Sequence, residues 1–251
     1  MIKLKRIDEI EKLLREEEIV SLDKLCDLFQ VSKATIRRDV NELEKHGSIK
    51  KIYGGIMLSQ KDSQQHFQLS EKSIKCKRNA AKLASDLVVN GDVIYIDSGT
   101  TNMYLIPFLS KRMNLTIITA NLYVISAALE YPQLNIISTG GILHRPSNAF
   151  VGSAVINFLQ NYNISKRFFS SSGVSLTNGV TSAFPLEYEI KRYLIERGET
   201  NILLLDSSKV DVVSLKTFCR LDELDYFVTD QRPSKKYCDF FSANNVRLII
   251  E

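Results

Sequence analysis

Along the front of the chain, apolar residues recur every three or four positions, the period of helices with one buried face. Ile7, Ile10, Leu13 and Leu14 mark a helix over residues 5–17. Leu22, Leu25, Leu28 and Phe29 mark a short second one, opened by Ser21. Ile36, Val40 and Leu43 mark a third, with Ser32 as its N-cap and Gly47 as the left-handed residue that ends it. Gln30-Val31 makes a tight turn between the second and third helices, so the pair predicts a helix-turn-helix. On the helical wheel the face opposite the apolar stripe of the third helix carries Ala34, Arg38, Asn41 and Lys45, with Thr35 and Arg37 at its margins. Ser48-Ile49-Lys50-Lys51-Ile52-Tyr53-Gly54-Gly55 then predicts a basic strand ending in a glycine turn.

From Lys75 the rhythm changes. Ala80, Ala81, Leu83, Ala84, Leu87 and Val88 form a helical stripe, Asn90-Gly91-Asp92 turns it, and Val93–Ile96 is a continuous apolar strand ending at Asp97. Strands over Leu115–Thr119, Leu134–Ser138, Arg167–Ser170, Ile202–Leu205, Tyr226–Thr229 and Val246–Ile250 alternate with helices centred on Leu105, Ile125, Ile156, Ile190 and Phe240. That alternation predicts an α/β unit with a mostly parallel sheet covered on both faces, whose ligands bind beyond the carboxyl ends of the strands. Between the two patterns lies a polar stretch containing Gln60-Lys61-Asp62-Ser63-Gln64-Gln65. The predicted organisation is therefore a small helical domain over 1–58, a linker over 59–74 and the α/β domain over 75–251.

Charge sharpens this picture by its position. The 251 residues carry a net charge of only +4, which permits a nucleic-acid partner without requiring one. Within the third helix and its strand, however, Lys33, Arg37, Arg38, Lys45, Lys50 and Lys51 outnumber Asp39, Glu42 and Glu44. An apolar side that seats the helix and an opposite side of short polar and basic groups suit insertion into a DNA groove. Ser32, Lys33, Thr35, Arg37, Arg38, Asn41, Lys45, Lys50 and Lys51 form the candidate DNA surface. Its lysines mainly meet phosphates, and Thr35, Arg37 and Arg38 are placed for base edges. One small domain reads few base pairs, so a homo-oligomer, dimer or tetramer, on repeated half-sites is expected. Cys26, Cys76, Cys219 and Cys238 are scattered without a C-x-x-C pair, and His46, His66 and His144 lack metal-ligand spacing. With no secretory start and no membrane-spanning run, the expectation is a cytoplasmic protein with free thiols, no metal and no cofactor.

A second candidate chemistry sits at the strand ends of the α/β domain. Asp97-Ser98-Gly99-Thr100-Thr101 follows one strand and leads into a helix, which presents backbone amides and hydroxyls to an oxyanion, with Gly99 allowing close approach. Gly140 and Gly141 open a second loop, and Ser207-Ser208-Lys209 brings hydroxyls and a cation to the same sheet edge. Lys191, one turn beyond Glu187, offers another cation, or the two form a surface i,i+4 pair. Neither G-x-x-x-x-G-K-[ST] nor G-x-G-x-x-G after a strand occurs, so a nucleotide pocket of either type is not expected.

These motifs, in this order, resemble the DeoR family of bacterial sugar-metabolism regulators. The matching residues are Val31-Ser32, Thr35-Ile36-Arg37-Arg38-Asp39, Leu43-Glu44, Gly47, Gly54-Gly55, Asp97–Thr101, Gly140-Gly141, Phe150-Val151-Gly152, Glu187 with Lys191, and Asp206-Ser207-Ser208-Lys209. The resemblance implies a winged helix-turn-helix followed by a sensor domain similar in fold to ribose-5-phosphate isomerase. It further implies repression of a carbohydrate operon and a phosphorylated sugar as effector. The effector-binding residues expected on that basis are Asp97, Ser98, Gly99, Thr100, Thr101, Asn121, Gly140, Gly141, Glu187, Lys191, Ser208 and Lys209. Departures are Ala120 before Asn121, Ser170 and Ser172 where the family often has Gly and Asp, Ala183-Phe184-Pro185, and Val210-Asp211 where Phe-Gly is common. They predict a less usual effector with an apolar contact at Phe184. The alternative is a sugar-phosphate isomerase-type enzyme using Glu187, Asp206 and Lys209, which leaves the DNA-binding helices without a purpose.

Overall fold

The computed structural model describes residues 3–17, 19–58 and 71–251. The front of the chain folds as α1 (Lys3–Glu17), β1 (Ile19–Ser21), α2 (Leu22–Phe29), α3 (Lys33–His46), β2 (Ile49–Ile52) and β3 (Gly55–Leu58). The expected helix signals act as such. Ser21 Oγ accepts from the Lys24 amide at 3.1 Å, Ser32 Oγ accepts from the Thr35 amide at 3.3 Å, and Gly47 closes α3 at φ 81°. Ile36, Val40 and Leu43 are buried against Ile10, Leu14, Val20 and Leu25. Each such side chain contributes roughly 1.5–3 kcal/mol of burial. The glycine turn joins β2 to β3 as an antiparallel hairpin, and β1, which the sequence pattern did not predict, adds to the far edge of β3.

One polar contact sits inside this small core. Asp39, on α3, is buried, and Arg6 of α1 donates to it from Nε at 2.6 Å. An acid within the basic stretch is thereby withdrawn from the surface, and α3 is tied to α1 by charge as well as by packing.

Helix α4 (Glu71–Ser85) begins the second unit. Of the predicted linker, residues 59–70 lie outside the described residues, and 71–74 are the first turn of α4. The central sheet has seven parallel strands: β4 (Val93–Ile96), β5 (Thr116–Thr119), β6 (Asn135–Ser138), β9 (Lys166–Phe169), β12 (Asn201–Leu204), β14 (Tyr226–Val228) and β15 (Arg247–Ile249). Their order is β15-β14-β12-β9-β4-β5-β6. The chain therefore winds outward from β4 through β5 and β6, then returns to β9 and winds the other way. One face packs on α4, α5 (Leu105–Leu109) and α6 (Leu122–Ala128), through residues such as Ala81, Ile106 and Val124. The other packs on α7 (Ser153–Leu159), α8 (Pro185–Glu196) and α9 (Lys235–Ala243), through residues such as Val155, Ile190 and Phe241. Burial on both faces explains why the inner strands read as apolar runs, while β6 and β15 at the edges are partly exposed.

Two additions were not expected from the pattern. The hairpin β7 (Ile142–His144) and β8 (Ala149–Val151), and the antiparallel sheet of β10 (Gly173–Ser175), β11 (Gly179–Ser182) and β13 (Lys216–Cys219), sit at the carboxyl side of the parallel sheet. All five are only three or four residues long, and β10, β11 and β13 mix Gly, Ser, Thr or Lys with apolar residues, so none carries a long apolar run or a sustained alternation.

Removing one partner of the Arg6–Asp39 pair leaves a buried charge. Asp39→Ala should destabilise the front domain by about 3 kcal/mol, the low end of the roughly 3–5 kcal/mol for such pairs because the domain is small and water is near. Denaturant unfolding followed on the helical signal checks this; a change under 1 kcal/mol would show that packing alone seats α3.

Candidate functional site

The third helix presents the face that its sequence predicts. Ser32, Lys33, Arg37, Arg38, Asn41, Lys45, Lys50 and Lys51 are exposed, and Thr35 is half-buried with its hydroxyl 3.0 Å from that of Ser32. The lysines divide into two sets. Lys33 is held to Asp23 at 2.6 Å and Lys51 to Glu44, both on the surface, whereas Lys45 and Lys50 extend into solvent with Arg37 and Arg38. Surface pairs of this kind contribute little to stability and are readily given up to a phosphate. The exposed cations lie on the α3 face and on β2, which packs beside α3.

The second site lies where the winding of the sheet reverses, between the carboxyl ends of β4 and β9. In open α/β sheets this crevice is where ligands bind. Asp97 leaves β4 into the crevice and is buried. Lys191, projecting from α8 and equally buried, donates to the Asp97 carboxylate and to the Ser170 carbonyl at 3.1 Å. Burial pushes the Asp97 carboxyl up, the Lys191 ammonium opposes that shift, and nearby Glu187 reinforces it. Glu187 stands 3.8 Å from Lys191 and is itself buried, so the pair is part of the crevice and not a surface i,i+4 bridge. The second cation expected of Lys191 is thus already engaged by Asp97.

The Ser98–Thr101 turn is fixed from several sides. Asn102 Nδ2 donates to the carbonyls of Asp97 and Phe168, at 3.1 and 3.3 Å. Asn121 caps α6 and gives Nδ2 to the carbonyls of Asp97 and Gly99, both at 3.0 Å. It is a brace behind the loop. Gly99 has φ 110°, and a Cβ there would overlap Ser170 Oγ, which donates to the Ser98 carbonyl. The glycine is required by this packing and by its backbone angle. The helix after the turn is short: a 3₁₀ turn over Asn102–Tyr104 and then α5. Individual amides and hydroxyls, more than a helix dipole, define the loop.

Lys77 is the residue that sequence reasoning missed. It lies on α4, is buried, and donates from Nζ to Thr100 Oγ1 at 2.8 Å. A lysine within an otherwise apolar helical stripe, where Ala80, Ala81 and Ala84 pack, was the available signal. Gly140 has open space beside its Cα, while Gly141 is pressed against Val151 and Val155, so only the first leaves room for a ligand. Ser208 and Asp206 bond each other at the end of β12, and Ser207 is held by Asp230. Lys209 is buried and turned away from that cluster: its ammonium donates to the main-chain carbonyl of Glu17 at 2.8 Å. Phe184 meets the ring of His144 edge-on, with centroids 5.3 Å apart. Among the described residues, no group of three or more His, Cys, Asp or Glu is placed to hold a metal ion, and no helix is long and apolar enough to cross a membrane. The four cysteines form no disulfide.

Comparison with known proteins bears on both halves of the chain. The model of the DeoR-like helix-turn-helix domain matches residues 6–62, and that of the DeoR C terminal sensor domain matches residues 72–231. The chain belongs to the DeoR family. It is a DNA-binding transcriptional regulator. Among relatives of this family, the HTH-type transcriptional regulator IolR of Bacillus subtilis (strain 168) is 36% identical over 248 residues, covering 98% of each chain. The lactose phosphotransferase system repressor of Staphylococcus epidermidis (strain ATCC 35984 / DSM 28319 / BCRC 17069 / CCUG 31568 / BM 3577 / RP62A) is 33% identical, covering 94% of this chain and 95% of its own. Ribose 5-phosphate isomerase A from Methanocaldococcus jannaschii superposes on 56% of the chain and 55% of its own with a TM-score of 0.41 at 18% identity, too distant a likeness to carry an argument. Asp211 holds a left-handed backbone, φ 60°, and accepts from Tyr237 Oη at 2.8 Å.

The Asp97–Lys191 pair gives a direct test of how the crevice is held. Lys191→Met leaves Asp97 buried and uncompensated, at a cost of roughly 3–5 kcal/mol, whereas Asp97→Asn combined with Lys191→Met should recover at least about half. Thermal and denaturant unfolding of the two singles and the double closes the cycle. Additive effects would mean that the two side chains act independently.

Proposed function

We propose that this regulator represses a carbohydrate-utilisation operon and that a phosphorylated sugar, bound at the β4–β9 crevice, modulates its hold on operator DNA. The observation that carries the effector reading is the fixed Ser98–Thr101 turn with the buried Lys77 ammonium on Thr100. Backbone amides, hydroxyls and one cation around a single loop suit a monoanionic or dianionic phosphate. The sugar end is supported by two buried oxygens that have no hydrogen-bond partner among the described residues, Ser171 Oγ and Glu187 Oε1. A buried polar atom without a partner is costly, and ligand hydroxyls would satisfy both. Phosphate contacts are assigned to Ser98, Gly99, Thr100, Thr101 and Lys77. Asp97, Asn121 and Lys191 are assigned to holding that loop. Gly140, Glu187 and Ser208 border the sugar end, the backbone of the Lys209 turn lies beside them while its ammonium is on Glu17, and Gly141 closes the packing behind. The apolar contact proposed at Phe184 comes from the Phe184–His144 pair at the same edge.

On the DNA side, Arg37, Arg38, Thr35 and Asn41 face bases, while Ser32, Lys33, Lys45, Lys50 and Lys51 position the domain on phosphates. The protein works as a dimer or tetramer, because one α3 helix spans too few base pairs for operator specificity. The names of two relatives lend support: a repressor of a lactose phosphotransferase system in Staphylococcus epidermidis, and the repressor GlcR of Bacillus subtilis, 28% identical over this chain.

Fluorescence anisotropy on the upstream DNA, at a stated salt concentration and with a panel of sugar monophosphates, tests both halves. Arg38→Ala should weaken operator binding by about 1–3 kcal/mol while leaving binding to random DNA little changed. Lys77→Met should keep operator binding and raise the effector concentration needed for half-response by at least about tenfold, the loss of a charge-assisted bond to phosphate. An upstream sequence bound no better than random DNA would sink the operator reading. A response untouched by the Lys77 change would move the phosphate elsewhere.

A further inference from the structure

Lys209 was expected to point its charge at the effector, and instead its ammonium lies on the other domain. It is buried, it sits in the 3₁₀ turn at the carboxyl end of β12, and it donates to the Glu17 carbonyl, the last of α1. A cation at the carboxyl end of a helix is favoured by the helix dipole and satisfies a carbonyl that the helix itself leaves unpaired. The same sensor loop touches the DNA-binding domain again four residues on. A Cβ on Gly54, in the hairpin turn, would lie only 3.1 Å from the Val213 carbonyl, so the turn and this loop run against each other.

What Lys209 and Val213 press on is the point from which the helix-turn-helix starts. Glu17 takes the Lys24 ammonium at 2.6 Å, Ser21 caps α2 through the Lys24 amide, and the Leu22 amide donates to the Gly54 carbonyl at 3.0 Å. The end of α1, the start of α2 and the hairpin turn are therefore one knot, and α2 sets the position of α3. On its other side the Lys209 turn belongs to the crevice. Asp206 and Asp230 hold its backbone, and β12 lies two strands from β4, roughly 10 Å at the usual strand spacing. A ligand anchored at Ser98–Thr101 and extending along the strand ends approaches this turn.

Resting on the effector reading above, we propose that Lys209 is the positioning residue that couples the two domains: ligand oxygens compete with the Glu17 carbonyl for its ammonium. Without ligand, Lys209 holds the α1–α2 knot against the sensor domain. With ligand, the ammonium turns inward, the knot is released, and the α3 helices lose the arrangement set by the sensor. The coupling is worth whatever difference in affinity the ligand has for the two positions of one side chain, as any such shift must be.

Hydrogen exchange on the full chain, read by mass spectrometry, tests this with a pooled panel of triose, pentose and hexose monophosphates as the probe. Expected is slower exchange over residues 97–101 together with about tenfold faster exchange over residues 10–17 and 22–25. Lys209→Met should show the faster exchange without any ligand and no further change with it, and Lys209→Arg, which keeps the cation, should behave as the unmodified chain. Protection at 97–101 with no change at 10–25 in the unmodified chain overturns the coupling and leaves the effector site standing. Ligand-free Lys209→Met exchanging as the unmodified chain does the same. No protection at 97–101 removes the effector reading and this inference with it.

Discussion

The buried ion pair between Asp97 and Lys191 is the constraint on which the sensor domain turns. It joins the end of β4 to α8, on opposite sides of the point where the sheet changes winding direction, and it does so at nearly complete burial. Two charges taken out of water are tolerated only when each is the other's partner and further hydrogen bonds complete the set. Here Lys191 also holds the Ser170 carbonyl, and the Ser170 amide donates to Asp97 at 3.3 Å. The ends of β4 and β9 are thus tied to α8 by polar contacts. The loop that follows Asp97 inherits that rigidity, which is what a binding loop needs if it is not to be ordered by each ligand anew.

A comparable device operates in the small domain. Arg6 and Asp39 bind α1 to α3 within a core of few residues, and the hairpin packs on the same unit. The helices of the DNA-binding domain are therefore tied to one another by charge as well as by packing. In the coupling proposed above, control acts through the orientation of this domain and not by remodelling the recognition helix, so contacts at the end of α1 weigh more than contacts along α3.

Much of this was legible in the residues. Caps at Ser21, Ser32 and Gly47, the stripe Ile36, Val40 and Leu43, and the apolar strands are local signals, and local signals survive folding. Asp97 to Thr101 was visible as a strand-to-turn motif. What escaped was non-local. Nothing in the spacing of Glu187 and Lys191 distinguishes a surface salt bridge from a buried one, because the partner that decides, Asp97, is far away in sequence. Lys77 is one of several cations on α4, and only the packing of that helix brings it to Thr100. Lys209 carried the correct motif, yet its side chain crosses to another domain. The short strands β10, β11 and β13 owe their pairing to position, since their sequences are too polar and brief to announce it.

The two tethered lysines of the DNA surface also bear on how this protein meets its operator in a salty cell. Binding to DNA draws much of its free energy from small cations set loose from the phosphates. Lys33 and Lys51 already have carboxylate partners in Asp23 and Glu44. When either lysine turns to a phosphate, the abandoned carboxylate gathers a cation of its own, and part of the release is taken back. Arg37, Arg38, Lys45 and Lys50 incur no such return. The proposed DNA surface would thus hold two kinds of positive charge, one that makes binding sensitive to ionic strength and one that tempers it.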